Sequence, residues 1–144
     1  YELDLVDPIM KVIEDNKPFL GICLGMEVLF EKSEESPGVE GLGIFGGRVK
    51  KFKGSLKIPQ IGWNQIKIQR ESAILEGIPD NSFFYFVHSY YADPKDKDIS
   101  LAKTDYGEEF VSAVEKGNIF ALQFHPERSG DIGLRILKNF AGLK

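Results

Sequence analysis

The run Phe19-Leu20-Gly21-Ile22-Cys23-Leu24-Gly25-Met26 constrains the fold of this chain more than any other stretch. Phe19 to Ile22 is a short unbroken apolar run, the pattern of a strand buried on both faces, because a strand with one wet face would alternate. Met26, Leu29 and Phe30 then recur at helical spacing, so the only cysteine sits where a strand turns into a helix. Upstream, Asp7 is predicted to cap a helix that begins at Pro8, where the missing N–H costs nothing, with Ile9, Met10 and Ile13 on its apolar side. Asn16 and Pro18 end that helix. Helix followed by buried strand is half of a βαβ unit.

The remaining elements follow from the same patterns. Ser33 to Gly47, rich in Glu, Gly and Pro, reads as a surface loop interrupted by Leu42, Ile44 and Phe45. Val49 and Phe52 alternate with basic residues, and Trp63, Ile66 and Ile68 lie in a β-rich stretch after the turn signal Pro59-Gln60-Ile61-Gly62. Ser72 to Leu75 is one helical turn, Phe83 to Val87 a further buried strand, and Ser100 to Thr104 a shorter one. Lys116-Gly117-Asn118 is a hairpin signal between Phe110–Val114 and Ile119–Phe124. A final helix behind a Ser or Asp cap places Ile132, Ile136, Leu137 and Phe140 on one side. No repeat or low-complexity linker divides the 144 residues, so one α/β domain with a mixed sheet flanked by helices is expected over residues 1–144.

Composition removes several classes of function. The net charge of −4 leaves no basic footprint for nucleic acid; Lys50, Lys51, Lys53 and Lys57 read first as a solvated strand face and second as a partner or anion contact. No apolar run is long enough to span a bilayer, the N-terminus carries no signal-peptide pattern, and one cysteine cannot form an internal disulfide, so a cytoplasmic protein is expected. Two histidines and one cysteine without ligand spacing make no metal site, and nothing in the sequence calls for a cofactor. Tyr1 leads almost at once into a helical pattern, the expectation for a sequence that begins inside a longer protein.

Gly21-Ile22-Cys23-Leu24-Gly25 matches glycine-x-nucleophile-x-glycine, an elbow that needs glycines because the sharp turn crowds backbone against backbone. A helix starting after Cys23 would favour its thiolate, and the Leu24 N–H would hold an oxyanion. A lone cysteine in an apolar run is also a common small core residue, and the elbow alone leaves that alternative open. His125, directly after a buried strand, supplies a candidate base. Glu127, two residues on across Pro126, would point the same way in an extended segment and orient the imidazole. The alternative is a surface His-Pro-Glu turn. His88 follows another buried strand and competes as a base; His125 is preferred because it brings its own carboxylate.

Together, Gly21-Ile22-Cys23-Leu24-Gly25 and His125-Pro126-Glu127 resemble the class I (triad) glutamine amidotransferases, whose fold is a flavodoxin-like mixed sheet with a nucleophile elbow. Pro59-Gln60-Ile61-Gly62-Trp63-Asn64, Phe86-Val87-His88-Ser89-Tyr90 and Gln123-Phe124-His125-Pro126-Glu127-Arg128-Ser129 are similar to the glutaminase-subunit family of imidazole glycerol phosphate synthase. The resemblance implies hydrolysis of glutamine to glutamate by Cys23, His125 and Glu127. The ammonia would be channelled to a cyclase subunit with a (β/α)₈ barrel, in a heterodimer that makes imidazole glycerol phosphate in histidine biosynthesis. By the same resemblance Gly25, Glu27, Ser89 and Tyr90 border the substrate, and Trp63, Tyr85 and Arg128 face the cyclase. Two neighbouring readings are a paralogue feeding ammonia to another acceptor, such as a sugar, and a silent scaffold subunit. Two departures accompany the resemblance. Family members normally begin with a strand and helix and a glycine-rich strand that supplies a second oxyanion N–H, so the domain is expected to lack that region and, alone, most of its activity. Glu27 also stands where most relatives carry Gln.

Overall fold

Ile119-Phe120-Ala121-Leu122 forms the strand around which the fold is organised, because Phe120 and Leu122 enter the core on one side and Ala121 on the other. The computed structural model describes residues 4–144. Its helices are α1 (Val6–Glu14), α2 (Leu24–Glu27) and α3 (Gly130–Ala141). Its strands are β1 (Phe19–Ile22), β2 (Phe30–Ser33), β3 (Phe45–Lys51), β4 (Gln60–Gln65), β5 (Lys67–Ile68), β6 (Phe83–His88), β7 (Tyr90–Pro94), β8 (Ser100–Asp105), β9 (Glu109–Lys116) and β10 (Ile119–Leu122). The main sheet runs β1-β10-β9-β7-β3-β2, with β8 also pairing β9, and β5 pairing β8. β1/β10 and β2/β3 are parallel and the other pairs antiparallel, so the sheet is mixed as expected. β4 and β6 form a separate antiparallel ribbon.

The apolar residues divide into two cores. Phe84, Phe86, Phe110, Leu122 and Phe124 pack together with Ile136 of α3, and the Phe84 and Phe124 rings lie 4.4 Å apart. Met26, Leu29, Phe30, Phe45, Val49 and Val111 form the second. A strand with a core on each side cannot slip by one residue without exposing one set and crowding the other, which holds β10 in register. The expected hairpin is present: Lys116 pairs Ile119, and Gly117 takes the positive φ of 59° that the two-residue turn needs. Ser72 accepts a hydrogen bond from the Ile74 N–H and caps the predicted helical turn, Ala73–Leu75.

Several elements differ from the sequence expectation. α1 begins at Val6, so Asp7 lies inside its first turn and caps nothing; the flanking residue is Leu5, without a side-chain cap. β1 is half-buried rather than buried on both faces, because it pairs only with β10 among the described residues. The helix after Cys23 is a single turn, and Phe30, taken from its spacing as helical, starts β2 beside Phe45. Tertiary pairing overrides local spacing where a segment is this short. Pro59 to Gly62 leads straight into β4 instead of turning. β7, unforeseen in Tyr90-Tyr91-Ala92-Asp93-Pro94, bridges β3 and β9.

α3 follows a 3₁₀ turn, Pro126–Arg128, and the two touch at Gly133, where an added Cβ would come within 1.9 Å of the Pro126 carbonyl oxygen. Gly133→Ala is therefore expected to push the turn off the helix and cost about 1–3 kcal/mol in urea unfolding. Gly142→Ala, where the nearest atoms stand at 3.6 Å, is expected to change stability by less than about 0.5 kcal/mol.

Candidate active site

Cys23 leaves β1 with φ 52° and ψ −105°, a backbone conformation that costs a residue with a side chain roughly 1–3 kcal/mol. The surroundings enforce it. Its N–H donates to the Leu122 carbonyl at 2.7 Å, prolonging the β1/β10 ladder, while α2 folds back so tightly that a Cβ on Gly21 would meet the Gly25 oxygen at 2.4 Å. Gly21 thus behaves as the elbow predicts. Gly25 does not: nothing stands within 4 Å of where its Cβ would be, so this glycine leaves open space and avoids no clash. The Leu24 N–H is directed at the thiol and favours its ionised form.

Parallel pairing brings the distant half of the site to the same sheet end. Ile22 lies opposite Leu122, which sets Cys23 beside Gln123 and places His125 two residues beyond. His125 Nδ1 is 2.5 Å from Glu127 Oε1. That contact arises differently from the sequence expectation, since Pro126–Arg128 is a 3₁₀ turn and not extended chain; the turn brings the carboxylate back to Nδ1. With Nδ1 committed, Nε2 is the free ring nitrogen, and it is buried without a hydrogen-bond partner among the described residues. Sγ meets the Val87 carbonyl at 3.9 Å and Gln123 Nε2 at 3.7 Å. Cysteine, histidine and glutamate thus gather at one sheet end, with the Sγ to Nε2 hydrogen bond unmade.

The electrostatics run against the sequence argument for an activated thiol. Burial, and after it the Glu27 carboxylate, raise the Cys23 pKa above the ordinary thiol value, and Glu127 adds to this; the Leu24 N–H and the Gln123 amide oppose it. The expected dipole is small because α2 has only one turn, and that turn carries Glu27. Glu27 is itself pushed up to about 7 by burial, against the Gln123 amide and with Glu35 adding a little. Gln123 is the residue that sequence reasoning passed over. It is fully buried, and its Nε2 also reaches Glu27 Oε1 at 3.3 Å. The available signal was an amide in the middle of Phe120 to Phe124, a run otherwise apolar.

His88 is placed where it serves structure. It is 6% exposed and packed against Phe52, Phe86 and Phe110, with Nδ1 2.6 Å from the Tyr90 carbonyl and Nε2 2.8 Å from the Gln60 side-chain amide. Burial lowers its pKa to about 4. The atom placed against Nε2 is Gln60 Oε1; a neutral ring that donates from Nδ1 can only accept at Nε2, so the Gln60 amide must be turned about for its NH₂ to donate there. Ser89 lies between β6 and β7, and Tyr90 pairs with Lys51. On the ribbon, Trp63 pairs with Tyr85 and their rings meet edge to face at 6.1 Å, while the Arg128 guanidinium sits 4.8 Å over the Tyr85 ring. Trp63 is 57% exposed, with exposed Ile61 and Phe83 on the same face. In the cationic stretch, Lys50 is paired with Asp93.

Residues 4–142 match the class-I glutamine amidotransferase family. The chain is 55% identical over 139 residues to imidazole glycerol phosphate synthase subunit HisH of Methanocaldococcus jannaschii, covering 96% of this chain and 70% of that protein. It is 56% identical over 138 residues to the subunit HisH of Pyrococcus furiosus, covering 95% and 71%, and 51% over 142 residues to that of Bacillus cereus, covering 99% and 68%. The structure of PurLQS from Thermotoga maritima superposes with a TM-score of 0.74 at 18% identity, covering 95% of this chain and 66% of that one. A glutamine amidotransferase from Thermotoga maritima gives 0.65 at 20% identity, covering 94% and 52%. At these identities the two structures show the shared fold.

The buried, neutral His88 makes stability depend on pH. Its folded pKa lies near 4 and its unfolded value near 6.5, so the unfolded chain binds the extra proton between them. Its contribution is complete above 6.5, is lost as pH falls towards 4, and amounts to about 3 kcal/mol. Urea unfolding at a series of pH values is expected to show this loss in the wild type and not in His88→Gln.

Proposed function

Since the chain belongs to the class-I glutamine amidotransferase family, and within it to the HisH subunits, we propose that it hydrolyses glutamine and hands the ammonia to a cyclase partner that makes imidazole glycerol phosphate. The observation that carries this reading is the convergence of Cys23 with the His125–Glu127 pair at one end of the β1/β10 pairing. Sγ attacks the side-chain amide carbon, and the Leu24 N–H receives the developing oxyanion. His125 takes the thiol proton through Nε2 and returns it to the leaving ammonia, while Glu127 holds the opposite nitrogen and stabilises the imidazolium. Water then attacks the glutamyl thioester, releasing glutamate. The open space at Gly25 leaves room for substrate beside the sulfur, and Ser89 and Tyr90 supply backbone donors to its α-carboxylate.

The unmade Sγ to Nε2 contact is the resting state of this site. The cyclase covers the ribbon face of Ile61, Trp63, Phe83 and Tyr85 with Arg128 at its border. This face lies one residue layer from the site: the Val87 carbonyl on β6 touches Sγ, and the Tyr85 carbonyl accepts from the His125 N–H. Partner docking on the ribbon therefore acts directly on the nucleophile and the base. The protein is cytoplasmic in this reading, and among the described residues no helix is long and apolar enough to cross a membrane.

Glutamate release, measured with and without the cyclase subunit and its nucleotide, tests the proposal. Turnover is expected with the liganded partner and near absence without it; no glutamate under any condition leaves a scaffold subunit. Trp63→Ala is expected to weaken cyclase binding by at least about 30-fold, the effect of losing an aromatic anchor worth 2 kcal/mol, as read by isothermal titration.

A further inference from the structure

Gln123 has no part in the chemistry above, yet its side chain is completely buried among the groups that carry it. Its backbone N–H donates to the Ser112 carbonyl at 2.8 Å, so β9 fixes the direction in which the side chain leaves the strand. From there Nε2 reaches both Cys23 Sγ, at 3.7 Å, and Glu27 Oε1, at 3.3 Å, while the Gln123 Oε1 is buried with no partner among the described residues. An amide that served only to fill the core would be replaced at lower cost by a leucine, which leaves no oxygen unpaired. We propose that Gln123 is a positioning residue for the Cys23 thiolate, its single buried NH₂ bridging Sγ and the Glu27 carboxylate so that the charge on Glu27 governs the ionisation of the cysteine.

An NH₂ group has two hydrogens, one for each neighbour, and this holds the sulfur and the carboxylate in a common bonded unit. Two negative charges sharing one donor inside the protein repel, so the first of the pair to ionise holds back the second and their titrations are coupled. The other titratable groups on the sulfur's side are the proposed base His125, which follows β10, and Glu127 on the 3₁₀ turn, while Glu35, in the loop after β2, acts on Glu27. Glu27 ionises first, at about pH 7, and its charge raises the pH at which the thiol follows, while the bridge and the Leu24 N–H work against that rise. The role rests on these three side chains and does not require glutamine as the substrate.

The chain's only cysteine makes the test direct: the iodoacetamide alkylation rate of Cys23 is followed against pH, alongside thiolate ultraviolet absorbance. Q123M keeps the volume and removes the bridge. It is expected to slow alkylation about tenfold at fixed pH, one unit in apparent pKa. E27Q is expected to replace the broadened wild-type profile by a single step at lower pH. An unchanged rate in folded Q123M overturns the positioning role. Where Q123M does not fold, superimposable wild-type and E27Q profiles overturn it instead. A Q123M effect on alkylation with no glutamine turnover in any variant supports the role and removes the proposed reaction, so the two failures are separable.

Discussion

The parallel pairing of β1 with β10 is the constraint on which the rest of the molecule depends. These strands lie about a hundred positions apart in sequence, and their register, Ile22 against Leu122, sets the relative height of everything at their carboxyl ends. The Cys23 N–H extends the ladder by one hydrogen bond and fixes the start of the elbow. The cores on either side of β10 hold that register, because a one-residue slip would exchange Phe120 and Leu122 with Ala121. The geometry of the site is thus a by-product of core packing, which is why Gln123, itself part of the strand's continuation, arrives beside the sulfur without a turn or loop of its own.

The elbow carries an energetic conflict. Backbone strain at Cys23 and the close approach of α2 to Gly21 place the sulfur at the surface of the sheet end, but the same closeness surrounds it with protein and raises the thiol pKa. Glu27, on the only turn of α2, raises it further, where a longer helix with a neutral residue would have lowered it. Gln123 and the Leu24 N–H work in the opposite direction. The Cys23 thiol is therefore held protonated, while Nε2 of His125 is buried without a hydrogen-bond partner among the described residues. The ribbon that carries the exposed Ile61 and Trp63 reaches this region through its backbone: the Val87 carbonyl lies against Sγ and the Tyr85 carbonyl accepts from the His125 main-chain N–H.

Segments with strong local signals were legible from the residues: the β9–β10 hairpin, the helical turn after Ser72, and α3, although Ser129 before it makes no side-chain cap. β6 was legible as a strand but is not buried on both faces: it alternates, with Phe83 exposed on the ribbon's outer side. Short segments were not. Four residues of helix after Cys23 cannot declare their length, and Phe30 at helical spacing joined a sheet because Phe45 was there to pair with it. β7 went unread since Asp93 and Pro94 disguise a strand whose partners, β3 and β9, are both distant in sequence. The His125–Glu127 contact was anticipated for the wrong reason, through extended alternation, whereas a 3₁₀ turn makes it.

Sequence alone determined the chemistry that is available: one cysteine between two glycines, a histidine followed two residues later by a carboxylate, and a motif order that places the chain in its family. These are local facts, because the elbow and the His-Pro-Glu turn are each written in a handful of adjacent residues. Tertiary structure decided the protonation behaviour of the site, since pKa values depend on burial and on neighbours from other elements. It made His88 neutral and structural, lifted Glu27 to about 7, and put Gln123 between that carboxylate and the sulfur. None of those three facts is contained in any single segment, because each depends on burial or on contacts between elements that only the packed fold defines.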